Sequence, residues 1–173
     1  AEFIEKYFEI AGALLARGFS VLAFDWRGQG GSDRALSDRH LGHIGEFAEF
    51  RQDYEAMRGL VSPDEPLTVL AHSMGGAIAL WGARDGWLAA DRLVCINPMV
   101  GLSMVPAEPF AKALARLLRW LGFGRWIVPG GVHASISTQP FPGNLLSTDE
   151  GRYARNAALA GRLGWQAIGS PTI

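Results

Sequence analysis

The residues best suited to chemistry stand in one six-residue run, Ala71-His72-Ser73-Met74-Gly75-Gly76. An apolar run over residues 67–70 precedes it, and a helix-like run over residues 77–81 follows it. A strand, a tight turn with a serine at its tip and a helix are the setting in which a hydroxyl is presented as a nucleophile. Small residues two positions before and after the serine allow the strand and the helix to pass closely. The pattern therefore predicts that Ser73 is a nucleophile.

A nucleophilic serine needs a donor for the developing oxyanion and a base for its proton. Met74 would begin the helix, and backbone N–H groups at a helix N-terminus point toward negative charge. We therefore predict the N–H of Met74 as one oxyanion donor. His72 is adjacent on the strand and cannot reach the Ser73 hydroxyl, so we interpret it as a packing residue. An ordinary glycine-rich helix start is the alternative, but it does not explain the serine.

The composition indicates one soluble globular domain. The 173 residues are 49% apolar and 19% charged, with a net charge of −1, which gives no reason to expect a nucleic-acid partner. The single cysteine, Cys95, lies in an apolar run and cannot form an internal disulfide. The sequence shows neither a leader pattern nor an apolar run of about 20 residues. We expect a cytoplasmic protein.

The order of the elements predicts a parallel sheet. Helical periodicity covers residues 3–17, 47–60 and 75–84, and these helices alternate with apolar strands at 19–24, 67–71 and 92–97. Strands that are apolar without alternation are typical of a parallel sheet covered on both faces. Loops at the carboxyl ends of such strands carry function, so Asp25, Ser73 and Asn97 are expected at one rim.

The sequence changes character after Pro98. Residues 99–173 are predicted to form a mostly helical cap on a core of residues 1–98, with one helix inside 106–124. That helix has an apolar face, and Lys112, Arg116 and Arg119 lie away from it. We favour a face packed on its own domain, and the alternative is contact with an anionic lipid surface. The side chains that could bind an acyl chain are Leu114, Leu117, Leu118, Trp120, Leu121 and Trp126.

Three blocks of the sequence resemble one family, the α/β-hydrolases. Phe24-Asp25-Trp26-Arg27-Gly28-Gln29-Gly30-Gly31-Ser32 resembles their D-x-R-G-x-G-x-S segment. Residues 71–76 resemble their G-H-S-M-G-G elbow, with alanine at the first position, and Asn97-Pro98-Met99 resembles the A-P-M before the cap. The branch is the lysophospholipase and monoacylglycerol lipase group, also labelled serine aminopeptidase S33-like or Hydrolase-4. The N-terminal Glu5-Lys6-Tyr7-Phe8 looks most like bacterial lysophospholipases.

The resemblance implies a partial α/β-hydrolase fold of three parallel strands, flanking helices and a mostly helical cap. It implies a serine hydrolase that cleaves esters of single-chain lipids, lysophospholipid or monoacylglycerol, through an acyl-enzyme. No cofactor is implied, and contact with a membrane surface stays open. The alternatives are a peptidase of the S33 type and a catalytically inactive binding relative.

The resemblance also implies that the catalytic Asp and His lie outside this sequence, after the cap. His133 is the one histidine that follows Ser73, and it has no strand-end signature. Asp149 fits a helix N-cap better than a catalytic acid. We therefore expect this sequence to be a fragment, cut at both ends, whose catalytic turnover on its own is negligible.

Two further patterns are interpreted as structural. The glycines at 28–31 suggest a phosphate loop, but Asp33 stands where the third glycine of G-x-G-x-x-G belongs. A loop whose backbone is hydrogen-bonded by Asp25 and Arg27 explains them better. His40 and His43 have no partners at ligand spacing, so no metal site is predicted.

Overall fold

The computed structural model describes residues 3–101, 108–131, 140–144, 147–162 and 171–173. The chain divides into two compact units, one of residues 46–114 and one of residues 1–45 with 115–173. After a 3-10 turn over Ile4–Tyr7, the elements in chain order are α1 (Phe8–Leu15), α2 (Glu49–Arg58), β1 (Thr68–His72), α3 (Met74–Arg84), β2 (Arg92–Ile96), α4 (Glu108–Trp120) and α5 (Glu150–Arg162).

The unit of residues 46–114 is built on a β1-α3-β2 crossover. The two strands are parallel, with Thr68 opposite Arg92 and His72 opposite Ile96. Parallel strands need a crossover connection, and α3 supplies it. The five residues of one strand pair one to one with the five of the other. Both strands therefore end at the same edge of the sheet, with Ser73 after one and Asn97 after the other. This confirms the shared rim for these two residues.

A cluster of aromatic rings holds α2 and α3 together. Phe47 meets both Phe50 and Trp81 with ring centroids 5.2 Å apart, and Trp81 meets Trp87 at 5.1 Å. The hydroxyl of Tyr54 donates a hydrogen bond of 2.7 Å to the carbonyl of Ala89, so this buried phenol keeps its polar end satisfied.

Burial of the sheet differs between its two faces. The strand residues alternate in exposure, and α3 packs against both strands. On the other face, Leu70, Val94 and Ile96 are between 42% and 46% exposed. The expectation of a sheet covered on both faces is therefore wrong for the part of the chain that the structure describes. An apolar run indicates that a strand is buried in the complete fold, but it does not indicate which segment of the chain covers it.

The other unit joins the two ends of the sequence. Phe3 is 2% exposed and packs with Ala160 of α5, which is fully buried. Glu9 of α1 forms ion pairs with Arg152 and Arg155 of α5. Hydrogen bonding to Arg155 lowers the pKa of Glu9 below its usual value.

Two expectations for this unit need correction. Residues 19–24 were predicted as a buried strand, but they form no strand, and Phe19 and Leu22 are about half exposed. A strand exists only where a neighbour completes its hydrogen bonds, and no described segment does so here. One helix, inside residues 106–124, was predicted for the cap, yet α5 is a second helix further along the chain. The division into core 1–98 and cap 99–173 stays a prediction.

Among the residues that the structure describes, no helix is long and apolar enough to cross a membrane.

Candidate active site

Ser73 occupies the single position between β1 and α3. Its backbone has φ 51° and ψ −120°, a conformation that a side chain makes costly. Its N–H donates to the carbonyl of Ile96 at 3.1 Å, and its carbonyl accepts from the N–H groups of Ala77 at 3.2 Å and Met99 at 3.0 Å. The end of β2, the first turn of α3 and the segment after β2 thus fix this serine by its backbone. The sharp turn predicted from the sequence is confirmed.

A close approach beside the serine explains one of the glycines. A Cβ atom built on Gly76 would lie 2.8 Å from the Cβ and 3.0 Å from the Cα of Pro98. Ala71, the second-to-last residue of β1, is 8% exposed. The sequence pattern assigned the tight fit to positions 71 and 75 and missed Gly76. The glycine pair was the available signal, but its meaning depends on Pro98, 22 positions further along.

Changing Gly76 to Ala should destabilise the protein by about 1–3 kcal/mol, since the added methyl group overpacks against a proline that cannot yield. Gly12→Ala is the matched control. Gly12 also lies in a helix, and a Cβ there meets nothing within 4 Å. Alanine has the higher helix propensity, so this variant should gain up to about 1 kcal/mol. Chemical denaturation of both variants measures the difference. Equal stabilities would contradict the close approach.

Met74 begins α3, which runs for 11 residues. The aligned peptide dipoles of a helix place partial positive charge at its N-terminus, next to the position of the serine. Asn97 has φ 45° and, with Ser73, is one of the non-glycine residues found at positive φ in the described chain. Two such residues at neighbouring strand ends mark this edge as conformationally constrained.

Asp25 lies at the centre of the glycine-rich loop. Its carboxylate accepts hydrogen bonds from the N–H of Ile4 at 2.9 Å and of Gly31 at 2.8 Å. Burial raises the pKa of Asp25, and these two hydrogen bonds partly offset the rise. Because this carboxylate bonds the loop's own backbone, the geometry agrees with a structural loop rather than a phosphate site. The loop follows no strand and belongs to the other unit.

Arg34 completes the loop, and the sequence pattern missed it. Its guanidinium donates to the carbonyls of Gln29 at 2.8 Å, Ser32 at 2.7 Å and Gly30 at 2.8 Å. Arginine suits this task because its donors form a rigid planar fork. Arg27 was the arginine expected to act on the loop backbone, and Arg34 is the one with these bonds.

The two doubtful triad candidates have different outcomes. The Oδ1 atom of Asp149 accepts from the N–H of Arg152 at 2.9 Å, at the start of α5. This is the N-cap bond that its sequence context indicated. His133 lies outside the described residues.

The six side chains predicted to bind an acyl chain lie on α4 and the turn after it. Leu118 is half-buried, but the other five are exposed, most of all Trp120 at 82%. Ala111 and Ala115 of the same helix are half-buried, as Leu118 is. The interpretation that the apolar face packs on its own domain is therefore wrong within the described chain. The acyl-binding role stays a prediction.

Comparison with known proteins shows the family to which the chain belongs. The chain matches the model of the family described as serine aminopeptidase, S33, over residues 1–155. It is 31% identical to lysophospholipase L2 of Escherichia coli (strain K12) over 182 aligned positions, which cover 96% of this chain and 50% of that protein. It is 36% identical to a monoacylglycerol lipase of Mycolicibacterium smegmatis over 88 positions, 49% of this chain and 30% of that protein.

A probable lysophospholipase L2 of Haemophilus influenzae is 33% identical over 106 positions, 59% of this chain and 33% of that protein. The chain spans about half the length of the lysophospholipase L2 that it matches along nearly all of its own. With the family model covering most of its residues, the chain belongs to the serine aminopeptidase S33 family of α/β-hydrolases, in the branch that holds lysophospholipases and monoacylglycerol lipases.

Proposed function

We propose that the complete protein is a serine hydrolase that cleaves carboxylic esters of single-chain lipids. The observation that carries this proposal is the backbone of Ser73, held at φ 51° between a strand and a helix by hydrogen bonds from three directions. A serine in an ordinary helix start has no need of that conformation. Backbone strain that the surroundings hold in place is typical of functional positions.

The proposed reaction proceeds in two halves. The Ser73 hydroxyl attacks the acyl carbonyl while a histidine base accepts its proton, and the carbonyl oxygen becomes an oxyanion. The N–H of Met74 donates a hydrogen bond to that oxyanion. The intermediate collapses to an acyl-serine as the alcohol leaves with the proton. Water then attacks the acyl-serine and releases the fatty acid. The histidine and its acid partner are expected from the complete protein beyond these 173 residues.

The lipid substrate is proposed from two sources. Relatives of the chain are named lysophospholipase and monoacylglycerol lipase. The apolar side chains of α4 and the following turn offer surface for an acyl chain, and Leu118 is the half-buried one among them. Both support an ester with one long hydrocarbon chain. Binding of the chain would come from removing its methylene groups from water.

Activity of the full-length protein should therefore rise with acyl length. Each methylene buried contributes about 0.8 kcal/mol, or about a fourfold gain in kcat/KM, until further methylenes find no more apolar surface to contact. Nitrophenyl esters of increasing chain length measure this slope. Leu118→Ala should flatten it. Leu60→Ala is the control, because Leu60 is 70% exposed and lies near α2, and it should leave the slope unchanged.

The same protein separates the two alternatives. If aminoacyl-amides are cleaved faster than the esters, or if the rate of ester hydrolysis does not depend on the length of the acyl chain, the peptidase is the better assignment. If a fluorophosphonate does not label the protein at Ser73, and the same protein leaves the esters unhydrolysed, the inactive binding relative is favoured. Ser73→Ala serves as the unlabelled control in that experiment.

A further inference from the structure

A cavity of about 520 Å³ lies beside the end of α2, within the unit of residues 46–114. Its apolar walls are formed by Tyr54, Val61, Pro63 and Trp87. Residues 61–63 precede β1, and Trp87 lies between α3 and β2, so the cavity is at the edge of the sheet where the strands begin. Ser73 lies at the opposite edge, where the strands end. The cavity is therefore separate from the candidate active site.

The aromatic wall of the cavity is held in place by its neighbours. The ring of Trp87 meets Trp81 at 5.1 Å and Tyr54 at 5.7 Å between centroids. The six-membered ring of its indole packs on Gly82, where an added Cβ atom would lie 2.8 Å from it. The pyrrole end of the indole, which carries Nε1, is the end away from Gly82. Because α3 holds the other end, the position of this N–H is fixed.

Two buried donors at the cavity have no acceptor in the part of the chain that the structure describes. They are the Nε atom of Arg58 and the Nε1 atom of Trp87. Arg58 uses a different nitrogen, Nη1, to donate to the carbonyl of Val61 at 2.8 Å. Buried N–H groups are nearly always paired, because an unpaired one has lost its bonds to water without replacement. A ligand that brings acceptor atoms would remove that cost.

The positive charge at the cavity comes from Arg58. Glu55 also lines the cavity, but its carboxylate is paired with Arg51 at 2.7 Å. Burial raises the pKa of the Tyr54 hydroxyl, and the charge of Arg58 partly offsets that rise, so the guanidinium lies close to the phenol. A ligand that fits must therefore place negative charge at the two donors and an apolar body against the rings.

We propose that this cavity binds a monocarboxylate that carries an apolar body. The two oxygens of one carboxylate would accept from the Nε of Arg58 and the Nε1 of Trp87, and hydrogen bonds to ionised groups are the strong ones. The apolar body would lie on Val61 and Pro63 and so leave water. Both nitrogens are buried, so the flexible side chain of Arg58 has to shift as the ligand enters. The inference goes beyond the proposed function and does not involve Ser73.

The titration uses the full-length protein with ¹⁵N in its tryptophan side chains. The probe is sodium octanoate, below the concentration at which it forms micelles. The indole N–H signal of Trp87, assigned by its absence in Trp87→Phe, should move downfield, since a proton that enters a hydrogen bond to a charged oxygen is deshielded. Octanol has the same chain length and no charge. It should bind about tenfold more weakly or less, because it lacks the bonds of an ionised group.

Arg58→Gln should weaken octanoate binding by about tenfold or more, because it removes both the charge and the Nε donor. Arg58→Lys keeps the charge without that donor and should bind with intermediate affinity. Arg84→Gln is the matched control. Arg84 is exposed, pairs with Asp85 and lies outside the cavity, so its substitution should leave the affinity unchanged. If Arg58→Gln does not fold, Arg58→Lys and the octanol comparison on the wild-type protein carry the same test.

Four results would overturn the carboxylate site. The Trp87 signal does not respond to octanoate, or octanol binds as tightly as octanoate, so that only apolar contact is measured. Equal weakening by Arg58→Gln and Arg84→Gln would show an effect of overall charge. An unchanged response in Arg58→Gln would show that octanoate acts from another place, such as the active site. Ester hydrolysis tests the proposed function separately, since loss of either result leaves the other standing.

Discussion

The full-length protein carrying Ser73→Ala should lose ester hydrolysis by a factor on the order of 10⁴ or more, while its fold stays intact. Removing the nucleophile leaves only binding and the oxyanion donor, which supply a small part of the acceleration. The fold should survive because Ser73 is fixed through its backbone N–H and carbonyl, and alanine keeps both groups. Steady-state hydrolysis and circular dichroism of the same preparation test the two halves of this expectation.

Ser73→Gly is the informative companion variant. It also lacks the hydroxyl, so it should be as inactive as Ser73→Ala. Glycine adopts φ 51° without a Cβ penalty, and the strain it relieves is about 1–3 kcal/mol, partly offset by the greater freedom of the unfolded chain. It should therefore unfold at a higher temperature than the alanine variant. Near-normal hydrolysis by Ser73→Ala would remove the serine from the mechanism, whatever its geometry.

The features predicted well from the sequence are those written in consecutive residues. The turn at Ser73 is a local pattern, because the strand before it, the serine and the helix after it all lie within residues 68–84. The bounds of β1, β2 and α3 fall within a residue or two of the expected ones. Helical periodicity likewise gave α2, which proved shorter than its pattern over residues 47–60, and α4 lies inside the range of 106–124 that was expected to contain it. Such signals survive because hydrogen bonds inside a helix need no distant partner.

The features that were missed depend on distant residues. Residues 19–24 have strand composition, but a ladder requires a neighbour, and composition cannot supply one. Arg34 lies outside the motif that it stabilises, and Gly76 needs Pro98 to reveal its purpose. The apolar face of α4 was recognised correctly as a pattern, yet its exposure could not be read from the sequence. Hydrophobic periodicity shows which face of a helix is apolar. It does not show whether the segment that would bury this face belongs to the same stretch of chain.

The glycine-rich loop is the second place where a small change should have a large effect. Gly30 has φ 47°, and a Cβ atom built on it would overlap the carboxyl group of Asp25. Gly30→Ala therefore adds backbone strain and also displaces a carboxylate that bonds the N–H groups of Ile4 and Gly31. Loss of the bond to Ile4 leaves a half-buried donor at a cost of about 1–3 kcal/mol, whereas the N–H of Gly31 lies at an exposed position and its loss costs less. We expect a loss of more than about 3 kcal/mol in the free energy of unfolding.

Gly18→Ala isolates the part of this loss that comes from the backbone alone. Gly18 has φ 85°, lies in the same unit, and a Cβ there meets nothing within 4 Å. Its substitution should cost only about 1–2 kcal/mol, the usual penalty for a side chain at positive φ. Denaturant unfolding of the two variants should therefore differ by the cost of the clash.

A double-mutant cycle assigns that clash to its partner. If Asp25 is the obstacle, Gly30→Ala should cost far less in an Asp25→Ala background, where the methyl group finds the space that the carboxyl group vacated. The coupling between the two positions should then be on the order of 1–3 kcal/mol, as is typical of residues in direct contact. Additive losses would show that Gly30 is required for another reason, and that the Asp25 carboxylate does not determine the course of the loop.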